Sequence, residues 1–401
     1  MARAAFTGSF TQQAPIPEAG IAAALDVMRS GRLHRYNIAP GETPEVVALE
    51  RAYADWQGAA FCLALASGGQ AMQIALRAAG VTPGDKVLTN AFTLAPVPGA
   101  IAALGAEPVL VEITGDLVID LADLAAKAQH SGARHLLLSN MRGHLADMDR
   151  LMQIARAAGL TVIEDCAHTM GARWNGQRSG NFGLAGCFST QTYKHMNSGE
   201  GGFLTSDDAA FMARATMLSG SYMHYAHHGA GPGAEAYRDI RFEMPNLSAR
   251  MDNLRAAILR PQLAGLDDAI IQWNARYDRV AAHLSGHPAL RLPKRPVAEA
   301  YVGSSIQFFV PGLPDDMARA FLEATAALGV DLKWFGAAEP VGFTSSHQSW
   351  RYAPAQNLPG TDRILAGLFD MRLPLTFSLE ECDLIAAHIL DVAADLSRAA
   401  A

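Results

Sequence analysis

The chain predicts an α/β fold, a mostly parallel sheet flanked by helices, followed by a smaller α+β unit. Three observations carry that expectation. Between about residues 60 and 206, short apolar runs of strand length alternate with longer segments of helical periodicity. Half of the 401 residues are hydrophobic, and 36 Gly and 20 Pro punctuate them, which suits a large buried interior with many short turns. From about His287 the composition shifts to short strands separated by prolines and then to helices. A chain of this length is more than one ordinary core requires. Two domains are therefore expected, residues 1–265 with an N-terminal arm, and residues 266–401 as a connector helix with a small C-terminal domain.

In chain order, residues 1–16 read as an irregular arm. Pro17 then sits at a helix start, with Ile21, Leu25 and Met28 at helical spacing and Gly31 as the stop, so this helix is expected to be packing material. Arg32, His34, Arg35 and Tyr36 make the next extended segment unusually polar, either a solvated loop or the mouth of a site. PEVVALERAYADWQG is an amphipathic helix. AAFCLALASGGQ is a strand running into Ser67, Gly68 and Gly69, and a helix starts at once. Backbone N–H groups at such a helix start can bind a phosphate. Many strand-to-helix turns are glycine-rich for steric reasons alone.

VTPGDKVLTNAF, AEPVLVEI, HLLLSN and TVIED follow as strands, with APVPGAIAALG, DLADLAAKAQ and DMDRLMQIARAAG as the helices between them. Right-handed crossovers on a mostly parallel sheet are the expected topology. Ligands bind such sheets at the carboxyl ends of the strands, where SGG, the NAFT turn, SNMRGH and the EDCAH turn would converge. GGFLTSDD is a further strand, and AAFMARATMLSG a helix leading into a loop that holds His224, His227 and His228. That loop lacks the acidic or cysteine partners of a metal site and is expected to be mobile and to face substrate. ARMDNLRAAILRPQLAGLDDAIIQWNARYDRVAAHL reads as one long helical connector, and LEECDLIAAHILDVAADLSRA as the closing amphipathic helix.

The composition also excludes some functions. A net charge of −7 without a lysine or arginine block offers nothing to nucleic acid. Cys62, Cys166, Cys187 and Cys382 are far apart and form no CxxC pair, so reduced thiols are expected rather than a metal or disulfide framework. No stretch reaches the roughly 18 unbroken apolar residues of a membrane span, and the N-terminus lacks a continuous apolar run. A soluble, cytoplasmic protein is expected.

The chemistry concentrates between Ile163 and Gly202. An apolar strand ends in Asp165; a second apolar run, AGCFST, is followed by Lys194 and then by NSGEGG. An amine for a Schiff base and a carboxylate to hold a pyridinium nitrogen protonated are what pyridoxal phosphate (PLP) chemistry requires.

SGGQAMQIALRAAGVTPGDKVLTNAFT, GHLADMD, VIEDCAHTMGA and GCFSTQTYKHMNSGEGG occur in this order. Together they resemble the DegT/DnrJ/StrS-type PLP-dependent aminotransferases, and the resemblance runs from PIPEAGIAAALDVMRSGRLHRYN to RLPLTFSLEECDLI. It implies a fold-type I enzyme with a seven-stranded-type sheet, working as a homodimer with shared active sites. Lys194 would be the Schiff-base lysine and proton shuttle, with a lowered pKa. Asp165 would pair with the pyridine nitrogen and His168 with the phenolic oxygen. Ser189, Gly68 and Gly69 would hold the phosphate. Glu200 matches a family glutamate and is assigned to the turn.

The sequence departs from its relatives in places. SGT is SGG here, so a hydroxyl is missing at Gly69; the aromatic that stacks over the ring matches Leu94 or its neighbour Phe92, with Phe92 preferred. The asparagine that reaches a partner's phosphate site corresponds to Ser248, with Asn246 as the alternative, and a proline before the lysine is replaced by Thr192, with Tyr193 after it. The reaction implied is transfer of an amino group from glutamate or glutamine to a keto-sugar, nucleotide-linked, or a related polyhydroxy ketone. Sugar dehydration on the same scaffold and a silent PLP-binding regulator are the alternatives. Related dehydratases carry histidine where this chain has Lys194, which favours transamination. Arg35, Tyr36, His224 and Trp334 are the polar candidates for substrate contact.

Overall fold

The computed structural model describes residues 4–399. After an N-terminal arm come helices α1 (Glu18–Ser30) and α2 (Glu45–Gln57), then β1 (Phe61–Leu65), α3 (Gly68–Ala78), β2 (Lys86–Asn90), α4 (Pro96–Ala102), β3 (Glu107–Val111), α5 (Leu121–His130), β4 (His135–Ser139), α6 (Met148–Ala158) and β5 (Thr161–Asp165). The short strands β6 (Arg173–Trp174) and β7 (Gln177–Arg178) precede β8 (Ala185–Ser189), β9 (Gly202–Ser206) and α7 (Ala209–Ser219). Helices α8 (Asn253–Ala264) and α9 (Leu266–Leu284) lead to β10 (Glu299–Ala300), β11 (Ser305–Phe309), α10 (Asp315–Ala327), β12 (Lys333–Trp334), α11 (Pro359–Ala366), β13 (Leu368–Arg372) and α12 (Leu379–Ala399).

Seven strands form the main sheet in the order β1-β9-β8-β5-β4-β2-β3, and only β9 runs against its neighbours. β4 and β8 are buried along their whole length, as strands covered by helices on both faces must be, and this explains why their sequences read as unbroken apolar runs. Four of the helices start where an acidic side chain can accept from free backbone N–H groups. Asp120, Asp147, Asp208 and Asp252 cap α5, α6, α7 and α8 in this way. Crossovers of this kind bring the carboxyl ends of β2, β4, β5 and β8 to one edge, and the site lies there.

The single connector expected between the two units is two helices, broken at Gly265, with Pro261 inside the first. A proline supplies no N–H to the preceding turn, and the helix ends within a turn of it. α9 belongs to two cores. Leu266 and Trp273 pack with the main sheet, whereas Tyr277, Val280 and Leu284 pack with the second sheet.

That second sheet has the order β11-β13-β12, antiparallel throughout. Strand alternation divides its residues cleanly. Ile306, Phe308, Phe369, Met371 and Trp334 enter a core with α9, α10 and α12, while Ser305, Gln307, Asp370, Arg372 and Lys333 face the other way. The N-terminal arm completes this core: Phe6 and Phe10 pack edge-on against Phe377 at 5.0 and 4.9 Å, and the Phe6 N–H donates to Leu328 O.

Helix α1 differs from expectation. Its buried residues are Gly20 and Ala24, against α8, and Ile21, Leu25 and Met28 remain 40–49% exposed. No helix among the described residues is long and apolar enough to cross a membrane.

Candidate active site

A cavity of about 430 Å³ opens between the carboxyl edge of the main sheet and the polar face of the second sheet. Lys194 lines it, on the turn after β8, with Nζ 2.9 Å from His168 Nε2, on the turn after β5. Burial pulls the Lys194 amine down to about 7, Arg142 and Arg372 press in the same direction, and Asp165 opposes them. His168 is held well below its ordinary value, first by burial and then by the Lys194 charge. A neutral imidazole can hold the amine by a hydrogen bond, while the amine itself titrates near neutrality.

Asp165 ends β5 and is 6% exposed. Its Oδ1 accepts from the Ala167 N–H, and its Oδ2 accepts from Ser139 Oγ at 3.0 Å, which in turn accepts from Thr93 Oγ1 at 2.7 Å. Burial raises the Asp165 pKa, and the Ala167 N–H, the Lys194 charge and Ser139 only partly offset this. A buried carboxylate in that state lacks a full countercharge, and a protonated ring nitrogen would supply one. The neighbouring carboxylate, Glu164, points to the opposite side of the strand. It accepts from the Gly180, Phe182 and Gly183 N–H groups and fixes the loop into β8. Alternation along β5 thus separates a scaffold acid from a site acid.

The other end of the cavity is the start of α3. Ser67 caps the helix, its Oγ accepting from the Gln70 N–H at 3.1 Å, and Gly68, Gly69 and Ser189 join it in the wall. The fit is close: a Cβ on Gly68 would stand 2.9 Å from Ser189 Cβ, and one on Gly202 would stand 2.6 Å from the Gly68 nitrogen. Free N–H groups, hydroxyls and the positive end of an 11-residue helix make this a phosphate cradle. At Gly69, by contrast, an added Cβ would meet only Ser67 Oγ, at 3.7 Å, so the missing hydroxyl is not imposed by space. Amine, buried carboxylate, histidine and phosphate cradle together fit PLP.

A model of the DegT/DnrJ/EryC1/StrS aminotransferase family matches residues 18–389. The chain belongs to this family. It is an aminotransferase with the fold-type I architecture. It is 32% identical over 294 residues to an L-glutamine:scyllo-inosose aminotransferase of Streptomyces griseus, a match covering 73% of this chain and 68% of that protein. It is 34% identical over 257 residues to a dTDP-3-amino-3,4,6-trideoxy-alpha-D-glucose transaminase of Streptomyces venezuelae, covering 62% of this chain and 63% of that one. Among solved structures, a 3-amino-5-hydroxybenzoic acid synthase superposes with a TM-score of 0.82 at 25% identity, covering 98% of this chain and all of the other.

Not every expected residue reaches the cavity. Phe92, expected to stack over the ring, is 1% exposed and packs edge-on against Phe335 at 5.1 Å among Ile113, Leu117 and Met141; Leu94, two residues on, lines the wall instead. The chain bends over residues 91–93, just after β2 ends at Asn90, and a bend breaks the strand alternation that would have put Phe92 and Leu94 on one side. Ser248 is exposed at φ 50, bound to Asn246 Oδ1, and neither residue lines the cavity. Glu200, assigned to a turn, does line it.

Of the substrate candidates, Arg35 is fully buried, forking onto Glu50 at 2.8 and 2.9 Å, with His228 Nε2 3.2 Å away. Tyr36 OH bonds His228 Nδ1 at 3.0 Å, so this end of the histidine loop is a scaffold anchor rather than a mobile strap. Trp334 is buried and donates to Ala366 O. Sequence reading missed Ser139, which orients Asp165, and Arg142 and Arg372, which line the cavity. The SNMRGH turn had been placed at a strand end; its arginine was the signal available. Among the described residues no cluster of His, Cys, Asp or Glu is suited to a metal.

Proposed function

We propose that this chain is a PLP-dependent sugar aminotransferase, moving an amino group from glutamate or glutamine to a keto-sugar, nucleotide-linked, or to a related polyhydroxy ketone, in a ping-pong cycle. The observation that carries the reading is the Lys194–His168 contact of 2.9 Å beside buried Asp165, at the mouth of the α3 cradle. Bound there, PLP supplies an electron sink for a substrate carbanion and a carbonyl carbon that can accept the amino group.

The chain's own residues do the rest. Asp165 would hold the ring nitrogen protonated, and His168 would hold the phenolic oxygen. The Gly68 and Gly69 N–H groups and Ser189 Oγ would hold the phosphate. Lys194 Nζ would hold the group covalently and, when free, would take and return the proton at the substrate's reacting carbon; an amine near neutrality can do both. Lysine rather than histidine at this position supports transamination over dehydration. The scyllo-inosose and deoxyhexose named for the relatives support a polyhydroxylated acceptor. The exposed Ile21, Leu25 and Met28 stripe of α1 supports a homodimer, with Ser248 or Asn246 serving the partner's site.

The test is direct. Protein incubated with PLP should show a visible absorbance that borohydride bleaches and that Lys194→Ala abolishes. Glutamate or glutamine should convert it to the pyridoxamine form. Failure to load the cofactor, or loading without conversion by any amino donor, sinks the reading.

A further inference from the structure

The wall of the cavity opposite the α3 cradle carries a surplus of positive charge that the assigned roles do not use. On β13, Asp370 and Arg372 are two residues apart and face the same way. Across the sheet, Gln307 and Lys333 are register partners of Asp370, and Ser305 is the partner of Arg372. Gln307 Nε2 donates to Asp370 Oδ1 at 2.8 Å, and His144 Nε2 meets Gln307 Oε1 at 2.8 Å, so the carboxylate is fixed from behind. Its Oδ2 faces Arg142 Nη2 at 2.9 Å and Lys333 Nζ at 3.7 Å. Three cations, Arg142, Lys333 and Arg372, thus surround one buried carboxylate.

Arg142 is 5% exposed and yet lines the cavity, and neither its Nε nor its Nη2 has a hydrogen-bond partner; the Asp370 contact is an ion pair without hydrogen-bond alignment. It also holds φ 55, a backbone conformation that L residues seldom adopt, in the turn after β4. Buried guanidinium N–H groups left unpaired are costly, and strain of this kind persists where the surroundings enforce it. Arg372 lines the same wall, its guanidinium carbon 3.7 Å from the centre of the Tyr193 ring, which restrains the fork. Two guanidinium forks lining one cavity offer the planar donors that a carboxylate accepts bidentately. Ser67, Gly68 and Ser189 belong to other elements, so the phosphate cradle and this wall are separate anion sites.

The geometry points to a carboxylate-binding subsite formed by Arg142 and Arg372, which hold an acid group of the substrate while its other end reaches Lys194. This rests on the aminotransferase reading of the same cavity. The acid group belongs either to the amino donor or to an acid-bearing sugar acceptor; the chemistry is the same in both.

Calorimetric titration of PLP-treated protein separates the possibilities. Glutarate is compared with its uncharged diamide as the donor-like pair, and glucuronate with glucose as the acceptor-like pair. In at least one pair the acid should bind tenfold or more tightly than its neutral counterpart. Arg372→Met should remove that preference and Arg372→Lys keep part of it, with the unfolding midpoint unchanged. Arg142→Lys, which preserves the Asp370 ion pair, should weaken acid binding severalfold through loss of the planar fork. Loss confined to glutarate assigns the donor acid, and loss confined to glucuronate assigns the acceptor. No acid preference in either pair, or a preference that survives Arg372→Met, overturns the subsite. Cofactor loading is read separately by absorbance: protein that fails to load fails as an aminotransferase, while its acid preference is still measured.

Discussion

Lys194 Nζ and His168 Nε2 stand 2.9 Å apart although 26 residues separate them in the chain. The parallel pairing of β5 with β8 sets the two turns side by side. If His168 serves as a neutral hydrogen-bonding partner, His168→Gln should keep PLP loading and lose less than tenfold in turnover. His168→Leu should lose on the order of tenfold to a hundredfold, the scale of a buried hydrogen-bonding partner removed. Single-turnover conversion by glutamate measures both; equal rates for the two variants would remove His168 from the chemistry.

The Lys194 amine should titrate near pH 7 in protein freed of cofactor. Burial disfavours its charged form, and Arg372 adds to that effect, so Arg372→Met should move the titration upward. The pH dependence of acylation at this lysine, read by peptide mapping, checks both statements. A titration near the ordinary lysine value in the parent would contradict the burial argument.

At the cradle, Gly68 and Gly69 should respond in opposite directions. Gly68→Ala places a methyl 2.9 Å from Ser189 Cβ and 3.3 Å from Phe188 O, and should cost about 1–3 kcal/mol of stability with weaker cofactor retention. The Cβ of Gly69→Thr meets only Ser67 Oγ, at 3.7 Å, and the substitution adds a hydroxyl at the cradle and removes a glycine from the first turn of α3. It should slow PLP loss on dialysis by severalfold. Faster loss from Gly69→Thr would show that the hydroxyl cannot reach.

His144, His168, His195 and His228 are all buried against protonation, His195 falling to about 3 and the others well below their ordinary value, in each case chiefly through burial. Above pH 6.5 these groups are neutral in both folded and unfolded chains and contribute no pH dependence. Below it the unfolded chain takes up protons that the folded one refuses, so stability falls as pH drops from 6.5 toward about 3, where His195 protonates in the folded state as well. Each refusing histidine adds a slope of about 1.4 kcal/mol per pH unit. Urea midpoints measured between pH 7.5 and 4.5 should decline steadily; a flat profile would mean that these imidazoles accept protons while folded.

Much of this was legible in the sequence. The strands of the main sheet are continuous apolar runs because both faces are covered, and Asp165, His168, Ser189 and Lys194 lie in one segment of 30 residues, 165–194, where local spacing and family motifs act together. What escaped depends on long-range placement. Arg372 is 178 positions beyond Lys194, on a strand whose register against β11 and β12 decides which residues face the cavity. Arg35 looks like a substrate contact in sequence because its partner, Glu50, lies in the next helix and only packing brings the two together. Phe92 and Leu94 are parted by a bend after β2, and the ring that receives Phe92, Phe335, lies far along the chain.

The arm that carries Phe6 and Phe10 has a consequence for how the molecule is made. These rings complete a core whose other walls, β11, β13 and α12, come from residues 305–399. During synthesis they emerge before those walls exist, so they must stay unplaced while the main sheet assembles, and they dock after α12 has left the ribosome. The segment between them and α1 includes Gln13, which lines the catalytic cavity. That part of the cavity wall is therefore set only once the arm has docked against β11, β13 and α12, and until then the Lys194 amine is more open to water.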